Sequence, residues 1–255
     1  MSQSLRVRRG GEGDPVLLLV HGLGATGDVW SGLERLLPRR WSGRWVTPDL
    51  PGHGGSAPLA AYTFEGLAEA VARVVPATNR LVVLGHSLGG VVALALAGAS
   101  SAVRVAAVGG LGIKVAWSGE EVARARALAA RPNPVYATRA EAGERYLKVA
   151  GLVGLVAVED VPVEALSQTA AGWTLAFDPA AFAVGAPDMP ALLGAARATV
   201  VLAAGERDPM CSAEQLHRLL PDPVILRGLG HNAHVEDPGA MVGLLDCLAE
   251  TGEPQ

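Results

Sequence analysis

The chain predicts an α/β fold: a doubly wound, mostly parallel sheet flanked by helices, with a helical cap inserted into it. Three observations carry that expectation. Short apolar or β-branched runs bounded by Gly, Pro or Asp alternate with helix-like segments. The runs are apolar at consecutive positions, as in strands covered on both faces. One long stretch without a strand signal interrupts the alternation.

The apolar runs lie at 16–20, 45–47, 81–84, 103–108, 199–203 and 224–226. Each is short enough for a strand and is punctuated by turn-forming residues. Helix-like segments fall between and after them, at 29–37, 64–75, 88–99, 211–220 and 238–250. In a sheet wound this way, functional groups gather beyond the carboxyl ends of the strands.

The interruption runs from Lys114 to Arg197. It contains helix-like segments at 120–130, 139–149 and 163–171, then an irregular tail with Trp173, Phe177 and Phe182. Six prolines break it, at 132, 134, 162, 179, 187 and 190. Residues 1–113 and 198–255 are therefore expected to form the core, and 114–197 a helical lid over the strand ends. There is no internal repeat.

Half of the 255 residues are hydrophobic, ample for a core, yet no run approaches the length of a membrane span. The most apolar segment, 149–158, is broken by Gly151 and Gly154. Residues 1–9 carry arginines without an apolar block after them, so no secretory signal is expected. A formal net charge of −4 argues against a nucleic-acid footprint. Cys211 and Cys247 cannot make a disulfide framework, and the expected location is the reducing cytoplasm. Oligomeric state is not legible.

The most informative segment is Leu81-Val82-Val83-Leu84-Gly85-His86-Ser87-Leu88-Gly89-Gly90. It reads as a buried strand driven into a tight turn, with a serine at the apex and small residues opening a helix. A serine hydroxyl is a poor nucleophile unless it is exposed, rigidly held and placed beside a base. A strand-turn-helix elbow supplies the first two conditions, and Gly85 and Gly89 keep the strand and helix from colliding. The five-letter pattern alone is short. The apolar run before it and the Ala/Val/Leu run behind it make it specific.

Four further loops follow apolar runs: His21-Gly22-Leu23-Gly24, Pro48-Asp49-Leu50-Pro51-Gly52-His53-Gly54-Gly55-Ser56, Gly205-Glu206-Arg207-Asp208-Pro209-Met210, and Gly228-Leu229-Gly230-His231-Asn232-Ala233-His234 with Val235-Glu236-Asp237-Pro238 behind it. With the elbow, these five ordered motifs resemble the α/β-hydrolase family with a cap insertion, and the resemblance spans nearly the whole chain. It implies Ser87 as nucleophile, His231 as base and Asp208 as the acid that orients it, in the family's chain order. It also implies an oxyanion hole made by the backbone N–H groups of Leu23 and Leu88.

Each assignment has a rival. His234 stands three residues from His231, and Glu206 or Asp49 could replace Asp208. His231, His234, Glu236 and Asp237 could also be read as metal ligands, but no complementary His/Cys spacing exists elsewhere, so no metal is expected. His21 and His53 are expected to make structural hydrogen bonds. His86 is expected to point away from the chemistry, and His217 into solvent. No cofactor is implied: the glycine-rich segment 10–13 precedes an apolar run instead of following one, so it is not a dinucleotide fingerprint.

The chemistry implied is acyl transfer through an acyl-enzyme, on a small apolar carboxylic ester, thioester or lactone. Trp117, Tyr146, Trp173 and Phe177 are the candidate pocket residues, with Tyr136, Phe182 and the apolar 149–158 stretch also available to an apolar pocket. A serine at the elbow argues against the family's dehalogenases and epoxide hydrolases, which resemble this chain elsewhere but use an aspartate there. Relatives that keep the same triad also break carbon–carbon bonds, act as lyases or perform cofactor-free peroxidation. A ligand-binding protein with little turnover is a further alternative.

Overall fold

The computed structural model describes residues 4–98, 101 and 103–251; the predicted helix end at Ala99 and the first three of residues 1–9 lie outside them. Seven strands form one sheet: β1 (Val7–Gly10), β2 (Val16–Val20), β3 (Arg44–Pro48), β4 (Leu81–His86), β5 (Val105–Leu111), β8 (Thr199–Gly205) and β9 (Val224–Leu226). Two more, β6 (Leu166–Thr169) and β7 (Gly172–Leu175), form a separate hairpin. The order across the large sheet is β1-β3-β2-β4-β5-β8-β9, and only the β1–β3 pair is antiparallel.

The consecutive apolar runs have the cause that the sequence predicts. In β2, Val16, Leu18 and Val20 join one buried cluster while Leu17 and Leu19 join another on the opposite face. In β4, Leu81 and Val83 divide from Val82 and Leu84 in the same way. Both faces are covered, so the central strands are apolar or small along their length, with His86 at the carboxyl end of β4 as the exception.

The chain leaves β2 toward β3 on one side and returns as β4 on the other. Adjacent strands whose connections depart in opposite directions open a crevice beyond their carboxyl ends. Val20 lies opposite Gly85 in that register, so the His21-Gly22-Leu23 loop and the Ser87 elbow are neighbours.

Strand β1 is not legible in the sequence, because Val-Arg-Arg-Gly has no apolar alternation. Ion pairs hold it instead. Arg8 pairs with Asp28 and, at 2.7 Å, with Glu34; Arg6 pairs with Asp28 at 2.9 Å and Asp49 at 3.3 Å. Its presence corrects one reading: the glycine-rich segment 10–13 does follow a strand. It leads into β2 and not into a helix, so it still lacks the form of a dinucleotide loop.

Between β5 and β8 lie the helices Gly119–Ala129, Arg139–Val149 and Met189–Ala195, three short 3-10 turns and the β6–β7 hairpin. The hairpin corrects the expectation of an insertion without strands and of a helix over 163–171. Only Val163–Ala165 is helical, and Leu166–Thr169 is extended, held by four residue pairs to Gly172–Leu175. Gln, Thr, Gly and Trp in this segment favour neither period strongly, and cross-strand pairing decides it. The segment between β5 and β8 is joined to the loop after β3 where the Gly54 N–H donates to Ala176 O at 2.7 Å and the Asp178 N–H to Gly52 O at 2.7 Å. Among the described residues no helix is long and apolar enough to cross a membrane.

Candidate active site

Strand β4 runs directly into Ser87, whose backbone sits at φ 51°, ψ −115°. It is the one non-glycine residue at positive φ among those described. Such a conformation costs on the order of 1–3 kcal/mol and persists only where the surroundings enforce it. Two constraints do so. The Ser87 N–H donates to Leu111 O of β5 at 2.8 Å. The helix Leu88–Leu96 starts at the next residue, and a Cβ on Gly85 would stand 2.2 Å from Gly89 O, one on Gly89 2.2 Å from Val20 O. Glycine at both positions is a steric requirement.

The Leu88 N–H is the first of that helix and has no intrahelical acceptor to find. Across the crevice, His21 pins the loop that carries Leu23. Its Nδ1–H donates to Gly22 O at 2.8 Å, and its Nε2 accepts the Leu50 N–H at 2.8 Å. Burial holds His21 neutral, with its pKa lowered to about 4, which suits a ring that must accept at one nitrogen.

Asp208 follows β8 and is buried. Its Oδ2 accepts the Nδ1–H of His231 at 2.9 Å, and its Oδ1 accepts the Met210 N–H at 2.8 Å. With Nδ1 donating, Nε2 is the basic nitrogen of His231. The rivals are engaged elsewhere. Exposed Glu206 accepts the Gly228 N–H at 2.8 Å. Buried Asp49 accepts the N–H groups of Gly27 (2.8 Å) and Gly55 (3.1 Å) and pairs with Arg6. His234 is wholly buried between the rings of Trp30 and His86, each 4.4 Å away, and burial lowers its pKa to about 3. His53 donates from Nδ1 to Pro51 O at 3.0 Å, and His217 is exposed.

His86 departs from expectation. Its ring does not point away but packs on His231, centroids 4.7 Å apart, and its Nε2–H donates to His231 O at 2.9 Å. Nothing local signals this contact, because the partner is 145 residues distant.

A cavity of about 460 Å³ brings Ser87, His231, Leu23 and Leu88 to one space, with His86 and Trp117 also in its wall. Phe182 and Val149, from the aromatic tail and the apolar 149–158 stretch, line it too, as do Phe64, Met210, Arg124 and Lys148, which the sequence did not single out. The structure leaves Tyr146, Trp173 and Phe177 outside it. Tyr146 is buried against the core and borders a different cavity with Leu152 and Pro162. Trp173 exchanges backbone hydrogen bonds with Tyr136 at the hairpin. Phe177 packs on His53 and Phe182, centroids 4.9 and 5.2 Å away, beside the hydrogen bonds that join its segment to the loop after β3. These three aromatics pack within and beneath the segment between β5 and β8, while Phe182, like Trp117, reaches the cavity.

Residues 17–244 match the profile of the alpha/beta hydrolase family. The chain is 30% identical over 259 aligned positions to 2-succinyl-6-hydroxy-2,4-cyclohexadiene-1-carboxylate synthase of Klebsiella pneumoniae, covering 98% of each. It is 46% identical over 97 positions to the pimeloyl-[acyl-carrier protein] methyl ester esterase of Aeromonas hydrophila, which is 37% of this chain and 36% of that one. Its fold is similar to the crystal structure of E-2-(acetamidomethylene)succinate hydrolase, with a TM-score of 0.77, 22% identity, and coverage of 96% of this chain and 95% of that one. With the profile matched from β2 to the last helix, the chain belongs to the alpha/beta hydrolase family.

Proposed function

We propose that this protein is a serine hydrolase that cleaves a small-molecule carboxylic ester, thioester or lactone through an acyl-enzyme on Ser87. The observation that carries the reading is the 2.9 Å bond from His231 Nδ1–H to Asp208, with Ser87 held at positive φ on the same cavity. In this reading His231 Nε2 takes the hydroxyl proton as Ser87 Oγ attacks the carbonyl carbon, then delivers it to the leaving group. Asp208 keeps the proton-bearing nitrogen on its own side and stabilises the imidazolium. The N–H groups of Leu23 and Leu88 receive the negative charge on the carbonyl oxygen, each worth about 3 kcal/mol in the transition state. Water then attacks the acyl-enzyme by the same route, and residues 114–197 act as the lid.

The test is direct. A fluorophosphonate is expected to label the wild-type chain stoichiometrically and to leave Ser87→Ala unlabelled. The same variant should lower kcat on an activated short-chain ester by about 10⁶-fold. Turnover retained in Ser87→Ala would remove Ser87 from the mechanism, and failure to label would favour a binding protein.

One observation favours a second reading. A relative matched over 98% of its length is named a synthase and not a hydrolase. The same three residues could abstract a substrate proton and drive a lyase-type elimination. Product analysis separates the two, because ester hydrolysis releases an acid and an alcohol and an elimination releases neither pair.

A further inference from the structure

The helix Gly119–Ala129 borders the cavity but has no buried residue. Its cavity-lining positions are Glu121, Arg124, Ala125 and Leu128, spaced i, i+3, i+4, i+7. Amphipathic helices fill that stripe with apolar side chains; here half of it is charged. Glu121 is accounted for, since it closes the capping box with Ser118 and pairs with Lys114. Arg124 is not: among the described residues no carboxylate pairs with it. Lys148, from the helix Arg139–Val149, lines the same cavity and likewise has no ion pair among the described residues. Lys114 offsets Glu121, so two unpaired cations remain in the wall of an otherwise mainly apolar cavity, in a chain of net charge −4.

An opposite local charge within a cavity wall selects ligands more than it stabilises a fold. We propose that the substrate is an acyl ester or thioester whose end remote from the scissile carbonyl carries an anion, a carboxylate or a phosphate, and that Arg124 and Lys148 bind it. This inference rests on the serine-hydrolase reading for the bond cleaved, but the anion contact can be read without turnover.

The kinetic test compares p-nitrophenyl monoesters of glutaric and suberic acid with their methyl-capped counterparts. A second pair is acyl-4′-phosphopantetheine against acyl-pantetheine. The wild-type chain should favour the anionic member of at least one pair by about fivefold in kcat/KM, chiefly through KM. The preference should fade at about 0.5 M salt. It should collapse toward unity in Arg124→Ala/Lys148→Ala and reverse in Arg124→Glu/Lys148→Glu. Preference confined to the carboxylate pair assigns a free diacid ester, and preference confined to the phosphate pair assigns a carrier-borne thioester. Equal use of charged and neutral members by the wild type, or a ratio unmoved in both double variants, overturns the proposal.

Calorimetric binding of suberate against suberamide, its neutral counterpart without an ester, keeps the two readings apart. Tighter binding of the dianion, lost in the double variant, upholds the cation site even where no ester is turned over. Ester turnover with no charge preference in binding or kinetics upholds the hydrolase and sinks the cation site. Both cations are exposed, so circular dichroism of the variants should match the wild type.

Discussion

His86 donates from Nε2 to the carbonyl oxygen of His231 at 2.9 Å, and the two rings lie 4.7 Å apart. The residue before the elbow serine thus props the backbone of the histidine read as the base. His86→Ala should lower kcat about tenfold with little change in KM, because the misplacement is felt in the transition state. His86→Gln, which can present an N–H to the same carbonyl, should recover most of the loss. Equal effects on kcat and KM, or no rescue by glutamine, would reduce His86 to packing.

Asp208 and Glu206 share one loop, but only Asp208 reaches His231. Asp208→Asn should lower kcat by about 10⁴-fold while leaving the fold intact, since an amide cannot hold the tautomer in place. Glu206→Gln should change kcat/KM less than threefold, roughly the effect of a single exposed polar contact. Steady-state kinetics on one activated ester decides both.

The backbone of Ser87 carries strain that glycine would relieve. Ser87→Gly should be more stable than Ser87→Ala by about 1–2 kcal/mol, as both lack the hydroxyl and differ at the Cβ. Urea denaturation of the two variants measures this. Equal midpoints would mean that the elbow tolerates a side chain without cost.

Four buried histidines titrate low. Burial lowers His21 to about 4 and His53 and His234 to about 3, with neighbouring histidines adding to the last two. Burial, with His234 and His231 nearby, holds His86 well below its ordinary 6.5. Unfolding lets each ring regain the ordinary value and bind a proton that the folded chain refuses. The unfolded state therefore holds more protons below pH 6.5, and stability falls as pH falls. The loss should run from about pH 6.5 toward pH 3, at up to about 1.4 kcal/mol per unit for each histidine. His53→Gln should flatten the pH dependence of the urea midpoint by one proton's worth, and an unchanged slope would show that His53 is protonated when folded.

Much of the site was legible because its motifs obey local rules. Gly85 and Gly89 stand where any Cβ would strike backbone, and β2 and the first four residues of β4 are apolar at consecutive positions because both faces of the sheet are covered. The roles of the aromatics between β5 and β8 were not legible in this sense. Trp117 and Phe182 face the cavity while Tyr146, Trp173 and Phe177 do not, and nothing in composition or spacing separates the two groups. An aromatic side chain buries equally well against a core and against a ligand. Strand β1 was missed for the opposite reason, its place being set by ion pairs instead of an apolar pattern.

The sequence by itself determined the α/β architecture, the elbow at Ser87 and the loops that carry Leu23, Asp208 and His231, since each depends on neighbours within a few residues. Only the tertiary structure decided between His231 and His234, and between Asp208 and Glu206, as partners. It also turned His86 toward His231 and left Arg124 and Lys148 in the cavity wall with no ion pair among the described residues. Those outcomes rest on contacts between segments up to 145 residues apart. Strand order and the packing of the segment between β5 and β8 set such contacts, and local preference has no term for them.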